Sequence, residues 1–379
     1  MIRPDPALVD RAWTAGLAGG YQRVLRPILF RSHHGDPEAI HEQLIHRLGA
    51  LPPAAGRVVG AALAPSARPV TVGGITAANR VGLAAGLDKD GHAARAWGRL
   101  GFGFAELGTV TPRPQPGNDR PRLYRLPASR AIINRMGFNN AGAEALARRL
   151  QRWGIWRGNA AAGIPLGVSI GKNRTTSLEH ATDDYLAAMT AVAPHADYVA
   201  INVSSPNTPG LRALQDAAEL RALVATLVDE ARRLNPDRPL PVWVKMAPDL
   251  ADEALDELVE VCQEAGASAL VATNTTLSRD GLAEVDRHLA DQAGGLSGAP
   301  LTPLALRVVS RVAARAEIPV VGVGGVMRAE HARAMFDAGA QLVQLYTGFI
   351  YRGPALVREV AALHGRTTTT HAHENRETR

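Results

Sequence analysis

The chain has 379 residues, 46% apolar and only 4% aromatic, with 42 lysines and arginines against 36 acids for a net charge of +6. That length suits one large barrel or two ordinary domains. No apolar run approaches the ~18 residues of a membrane-spanning helix, the scattered basic residues and scarce aromatics form no nucleic-acid platform, and a single cysteine excludes an intramolecular disulfide.

Residues 1–50 carry no pattern of charged start, apolar middle and small-residue cleavage site, so a cytoplasmic protein is expected. They read as a helical hairpin. In YQRVLRPILFRS, Tyr21, Val24, Leu25, Ile28 and Leu29 share a face with Arg23, Arg26 and Arg31 nearby, and no acid occurs between residues 20 and 35. A second helix is signalled by Asp36 as N-cap and Pro37 at the first helical position, with Ile40, Leu44, Ile45 and Leu48 at helical spacing. Such a pair lies on a membrane surface or packs on the body of the protein, and the two readings weigh evenly, since Pro27 weakens the first helix. Residues 51–70, rich in Ala and Pro, read as a linker, and the polar tail 365–379 reads as disordered.

Eight short apolar runs follow: VGLAAG (81–86), GFAELG (103–108), LGVSIG (166–171), YVAINV (198–203), PVWVKM (241–246), ALVAT (269–273), PVVGVG (319–324) and LVQLY (342–346). Runs of this kind suit strands buried on both faces of a parallel sheet. The stretches between them, such as AGAEALARRLQRW and ADEALDELVEVCQEAGA, carry helical periodicity, and Cys262 on the latter reads as a small buried apolar residue. Eight strand-helix units predict an α/β fold, a (β/α)8 TIM barrel over 71–364, with chemistry at the C-terminal strand ends and phosphate often held after strands seven and eight.

The unusual residues fall at those strand ends. Arginine supplies 39 of the 42 basic residues, and the three lysines follow strand one (Lys89), follow strand three (Lys172) and end strand five (Lys245), marking places for a compact point charge. Thr109 follows strand two, INVSSPNTPGLR (201–212) follows strand four, and strand six runs into Thr273, Asn274, Thr275 and Thr276. Gly324, Gly325, Thr347 and Gly348 offer backbone N–H groups to a phosphate at the expected strands.

Metal chemistry is not expected, because the histidines form no HExxH pair or cluster at the strand ends. A Rossmann fingerprint is missing too. Ser205 lies in SSPNTPG instead of GxSxG, with no histidine at a strand end to activate it as a nucleophile. Asn134, Asn202, Asn207 and Asn274, with hydroxyls and two or three cations, suit a planar anionic ligand whose carbonyl and N–H edge is read by carboxamides. Each asparagine taken singly also suits a turn.

Together AAGLDKDG (84–91), GTVTPRPQPGNDRPRLYRLP (108–127), INRMGFNN (133–140), INVSSPNTPGLR, VKMAPDL (244–250), TNTT (273–276), GGLSG (294–298) and GVGG (322–325) resemble the class 2, quinone-linked dihydroorotate dehydrogenases over about residues 20–364. The resemblance implies FMN-dependent oxidation of (S)-dihydroorotate to orotate in pyrimidine biosynthesis, with electrons passed to a membrane quinone. It makes Ser205 the base that takes the C5 proton as hydride leaves C6. With no histidine beside it, Ser205 needs a relay for that proton, and Thr208 or a water near Phe138 is the expected one. It sets Lys89, Asn134, Arg135, Met136, Gly137, Phe138, Asn202, Asn207, Asn274 and Thr275 around the substrate. Around FMN it sets Ala85, Gly86, Leu87, Asp88, Lys89, Thr109, Asn202, Lys245, Thr273, Gly298, Gly325, Tyr346 and Thr347, with Lys245 near the ring. Ser169 stands where the family usually carries an asparagine, which implies a flavin contact through water. Lys172 is given no role by the resemblance, and a structural ion pair is the default for it. The hairpin becomes a membrane dock and quinone tunnel, with His41, Arg125 and Tyr346 along the route. A peripheral monomer on the cytoplasmic side of the cell membrane follows, with no nucleic acid as partner.

Three alternatives differ in testable features. A class 1 enzyme with a soluble acceptor would carry cysteine as base, where this chain has Ser205. A flavin-dependent tRNA dihydrouridine synthase would carry an RNA-binding extension and a basic stripe. A non-catalytic FMN-binding membrane protein would not keep Ser205 and its asparagines together.

Overall fold

The computed structural model describes residues 6–65, 67–159, 161–208 and 211–363, so the tail 365–379 lies outside the described residues. Eight strands, β1 (Val81–Leu83), β2 (Phe104–Val110), β3 (Leu166–Ile170), β4 (Tyr198–Asn202), β5 (Val242–Met246), β6 (Ala269–Ala272), β7 (Val320–Val323) and β8 (Leu342–Leu345), close into a parallel barrel. Each pairs with the next, and β8 returns to β1 with Val343 opposite Val81 and Leu345 opposite Leu83. All eight coincide with the predicted runs. Every residue in them is buried, which is why they read as continuous apolar stretches instead of alternating ones.

Amphipathic helices cover the outside. In Ala217–Leu234, Leu220, Leu223, Val224, Leu227, Val228 and Ala231 recur three and four residues apart and are buried, while Asp216 caps the start by accepting from Ala218 N at 3.3 Å. The connection from β1 to β2 departs from the repeat. It runs through turns and a single 3-10 turn, Gly98–Leu100, with Trp97 fully buried in place of a helix face.

Two smaller sheets close the ends. A hairpin of Val70–Val72 and Ile75–Ala77, turned on Gly73 and Gly74 at φ +58° and +86°, caps the N-terminal mouth. The Trp243 indole donates to Gly73 O at 2.8 Å and stacks on Tyr198 with ring centroids 3.7 Å apart. At the other mouth, Leu123–Leu126, Ala131–Asn134 and Gly295–Gly298 form a three-stranded antiparallel sheet in which Asn134 opposes both Leu123 and Gly295.

The N-terminal region is helical, as expected, and longer than a hairpin. Helix Pro6–Gly20 runs through a π-turn, Tyr21–Leu25, into helix Arg26–Arg31, and helix Pro37–Gly49 follows. Asp36 Oδ1 accepts from Glu38 N at 2.9 Å and Ala39 N at 3.3 Å, the predicted cap. The π-turn falls just before Pro27, whose missing N–H interrupts the regular ladder. The stretch read as a linker, 51–70, holds a further helix, Pro53–Leu63, because proline suits a first helical position and alanine favours the rest. Among the described residues no helix is long and apolar enough to cross a membrane.

Candidate active site

One cavity of about 1060 Å³, counting its open mouth, lies at the C-terminal strand ends. Ala85, Gly86 and Lys89 reach it after β1, Thr109 from β2, Asn202, Ser205 and Asn207 at and beyond the end of β4, and Lys245 from β5. Thr273, Asn274 and Thr275 follow β6, Gly324 and Gly325 follow β7, and Tyr346, Thr347 and Gly348 follow β8. The antiparallel sheet adds Asn134 and Gly298, and the turn after its Ala131–Asn134 strand adds Met136, Gly137 and Phe138.

The carboxamides form two hydrogen-bonded pairs. Asn207 Nδ2 donates to Asn134 Oδ1 at 3.3 Å, joining the β4 segment to the antiparallel sheet. Asn274 Nδ2 donates to Ser204 Oγ at 2.9 Å and Asn202 Oδ1 at 3.4 Å, and Asn202 Nδ2 donates to Thr109 Oγ1 at 2.9 Å. Such mutual bonds fix each amide's orientation while leaving further donor and acceptor positions for a ligand. Ser205 is 5% exposed, and its Oγ accepts from Asn207 N at 3.3 Å. Thr208, also buried, has a hydroxyl with no hydrogen-bond partner among the described residues.

The 137–138 turn is set by backbone geometry. Gly137 has φ +70°, and a Cβ there would fall 2.7 Å from the side-chain amide carbon of Asn118. Phe138 follows in the same left-handed region at φ +53°, uncommon for an aromatic residue, with its ring against the cavity.

Two cations face the cavity. Lys245 is 5% exposed, and burial lowers its pKa while Glu106, 4.0 Å away, opposes that fall. Lys89 separates this cavity from a second one lined by Glu38, His41, Leu87, Asp88 and Met136. Burial lowers its pKa as well, with Glu38 and Asp90 acting against it. Burial first, and the Lys89 charge second, push the His41 imidazole down to about 3.

Other predicted residues point elsewhere. Leu87 packs in the core, and Asp88 accepts from Ala93 N and Trp97 Nε1 at 2.9 and 3.0 Å, so both side chains turn from the main cavity. Arg135 reaches outward to Gln292 Oε1, Pro121 O and Tyr124 Oη at 3.0, 2.7 and 2.6 Å. Ser169 is fully buried behind Thr109, with 2.9 Å between the two hydroxyls. Arg125 donates to Phe30 O and Gly35 O at 3.0 and 2.6 Å with its guanidinium over the Phe30 ring, which ties it to the N-terminal helices. Lys172 donates to Asn173 O and Thr176 O at 3.3 and 2.8 Å and braces a loop with Asp184 nearby.

Gln344, Ser297 and Leu301 also line the cavity and carried no signal that set them apart in sequence. Asn118 is the more instructive omission. Its amide donates to Arg135 O and Asn207 O at 2.9 and 3.2 Å, so it holds two site segments from a Gly-Asn turn inside the 108–127 motif, where the resemblance gives it no role.

A (β/α)8 barrel with an amide-walled, cation-bearing cavity at its C-terminal strand ends has the form of an enzyme of the barrel class, and its lining suits a flat, polar, anionic ligand. Comparison narrows the class. The chain belongs to the dihydroorotate dehydrogenase family: the family model of that description matches residues 68–363. It is 55% identical to the dihydroorotate dehydrogenase (quinone) of Salinispora arenicola over 350 residues, 90% of this chain and 98% of that protein. It is 50% identical to the protein of the same name from Chloroflexus aurantiacus, over 90% of this chain and 94% of the relative. Among solved structures, the Eimeria tenella DHODH in complex with ferulenol superposes with a TM-score of 0.76 at 34% identity, covering 89% of this chain and 93% of that one.

Proposed function

We propose that the chain oxidises (S)-dihydroorotate to orotate with bound FMN and passes the electrons to a membrane quinone, as a step of pyrimidine synthesis. The observation that carries this reading is that Ser205 shares one cavity with two hydrogen-bonded pairs of asparagines and two lysines, Lys245 buried and Lys89 half-buried. A Ser-His-Asp hydrolase would need an imidazole beside that serine. A proton abstraction coupled to hydride loss needs a base at one carbon and a flat acceptor at the next.

The donor set suits FMN. Thr109, Asn202 and Thr273 supply polar contacts for the ring system, and Lys245 adds positive charge beside them. The N–H groups of Thr347 and Gly348 open a helix and have no intrahelical acceptor, which suits a phosphate after strand eight. When bound there, FMN supplies a two-electron acceptor, and the protein supplies its orientation and electrostatics.

In this reading Asn134, Asn207 and Asn274 read the amide edge of the pyrimidine ring and Lys89 offsets its carboxylate. Ser205 takes the proton. The unpartnered hydroxyl of buried Thr208 supports a relay from Ser205, since an orphan donor at that depth favours an occupied hydrogen-bond chain. Arg135, Leu87, Asp88 and Ser169 then act behind the contact layer, through the loops and hydroxyls they hold.

The N-terminal helices serve as the membrane-facing part. Val24, Leu25 and Ile28 are 60%, 48% and 62% exposed with Arg23 and Arg26 alongside, an apolar and basic face suited to an anionic lipid surface. Tyr346 lines the main cavity, His41 the second one and Arg125 braces the N-terminal helices, and in this reading the three serve the quinone's approach, with the low pKa of His41 keeping it neutral. A steady-state assay of dihydroorotate oxidation with menaquinone, ubiquinone and fumarate tests the assignment. Turnover with a quinone and none with fumarate is expected; the reverse would make the enzyme a soluble-acceptor type.

A further inference from the structure

A polar layer crosses the barrel interior at the cavity floor. Glu106 on β2 is 0% exposed and meets side chains from three other strands. Its Oε2 accepts from Gln344 Nε2 of β8 at 2.8 Å and from Tyr198 Oη of β4 at 3.3 Å. Its Oε1 accepts no hydrogen bond among the described residues and lies 4.0 Å from Lys245 Nζ of β5. Tyr198 stays a neutral donor, because burial and the neighbouring carboxylate both raise its pKa. Two neutral donors therefore fix one carboxylate oxygen and leave the other for the cation.

Stability does not account for this arrangement. A buried ion pair is often no better for stability than apolar side chains of the same volume, and this one is stretched, with one acceptor unfilled. Its effect falls on Lys245 instead. That ammonium is buried and faces the cavity, and among the described residues Glu106 is the charged group that favours its protonated form.

We propose that Glu106 is a positioning residue, the buried counter-ion that keeps Lys245 an ammonium directed at the cavity, and that through this cation it raises the reduction potential of the flavin bound there. The inference rests on the FMN reading above. A cation beside the ring favours the reduced, anionic flavin over the neutral oxidised one. Glutamine at 106 keeps the shape and removes the charge. Lys245 then has only its desolvation, sheds its proton, and the cavity loses a cation.

Because the chain has only three lysines, labelling lysine side chains with carbon-13 gives three resolvable titrations by NMR, with Lys245 identified by its loss in Lys245→Met. In Glu106→Gln, Lys245 is expected to titrate at lower pH than in the wild-type chain, with Lys89 and Lys172 unmoved. The reduction potential of the FMN holoenzyme, read against a reference dye, supplies the second measurement. The equilibrium constant for two-electron reduction is expected to fall at least tenfold, about 30 mV, in Glu106→Gln and in Lys245→Met. The double variant is expected to fall no further than Lys245→Met alone. It also removes both buried partners together, so it keeps the potential measurable where an unpartnered Lys245 destabilises Glu106→Gln. An unmoved Lys245 titration, a potential within twofold of wild type, or additive effects of the two substitutions would overturn the proposal. A chain that takes up no flavin would sink the FMN reading and the potential with it, while the lysine titration still decides whether Glu106 is the counter-ion.

Discussion

The Arg122 guanidinium grips the Glu38 carboxylate through three hydrogen bonds, Nη2 to Oε1 at 2.7 Å and Nε to Oε1 and Oε2 at 3.1 and 3.2 Å. Glu38 belongs to helix Pro37–Gly49, and Arg122 leads into the antiparallel sheet at the barrel mouth. Both are buried, at 4% and 6% exposure. Arg122 Nη1 also donates to Pro116 O and Asn118 O, and the Asn118 amide continues to Arg135 O and Asn207 O. Hydrogen bonds thus run unbroken from the N-terminal helices to an asparagine in the cavity wall.

Breaking this pair is expected to be expensive and to reach the site. Glu38→Ala leaves Arg122 buried without its partner and should lower stability by about 3–5 kcal/mol. Glu42→Ala removes an exposed partner of Arg120 and should change it by less than about 1 kcal/mol. Urea unfolding compares the two, and equal midpoints would contradict the account. Glu38→Ala should also raise the KM for dihydroorotate through Asn118 and Asn207, an effect Glu42→Ala should lack.

The exposed apolar face of the N-terminal helices makes a separate prediction. Leu25→Asp and Ile28→Asp replace side chains that are 48% and 62% exposed, so folding should change little. Each deletes roughly 1.5–3 kcal/mol of apolar burial in lipid, so sedimentation with anionic vesicles should weaken about tenfold or more. Dihydroorotate oxidation by a soluble dye should stay within about twofold of wild type. Undiminished vesicle binding would assign this face another role.

Asp88 gives the chain a titrating group with a defined sign. Burial pushes its carboxyl up to about 6, against the pull of Trp97 Nε1 and backbone N–H groups, and its Oδ1 has no partner among the described residues. The folded state therefore binds the proton more tightly than the unfolded chain between about pH 4 and 6. Its stabilising contribution is present below that window and is lost as pH rises through it. Asp88→Asn keeps an acceptor for Ala93 and Trp97 without the charge. Relative to wild type it should gain stability on going from about pH 4 to about pH 8, by up to about 3 kcal/mol at about 1.4 kcal/mol per unit. Urea midpoints with the same offset at both pH values would contradict this.

The barrel was legible because each strand is buried on both faces and announces itself as an unbroken apolar run, from Val81–Leu83 to Leu342–Leu345. The antiparallel sheet at the mouth was not. Its four-residue strands exist through pairing between Asn134 and Gly295, 161 residues apart, and nothing local in AIIN requires it. Helix Pro53–Leu63 was hidden by an Ala/Pro composition that also suits a linker. Among site residues, Ser205 and the asparagines were legible because hydroxyls and amides are unusual at the end of an apolar strand. Glu106 was overlooked inside such a strand, since its partners Tyr198, Lys245 and Gln344 meet it only once the barrel closes. Arg135 sits between two cavity-facing residues in sequence, yet its long side chain finds better acceptors outside.

The central claim is that this cavity joins a flavin, dihydroorotate and the base Ser205. The most direct measurement is anaerobic mixing of the FMN-loaded protein with dihydroorotate in a single turnover, following the visible flavin band for wild type and Ser205→Ala. The account predicts rapid bleaching in wild type and bleaching slowed by about 100-fold or more in Ser205→Ala, with flavin content unchanged. A wild-type protein that retains no FMN, or whose flavin is not reduced, or a Ser205→Ala variant that bleaches at the wild-type rate, would contradict it.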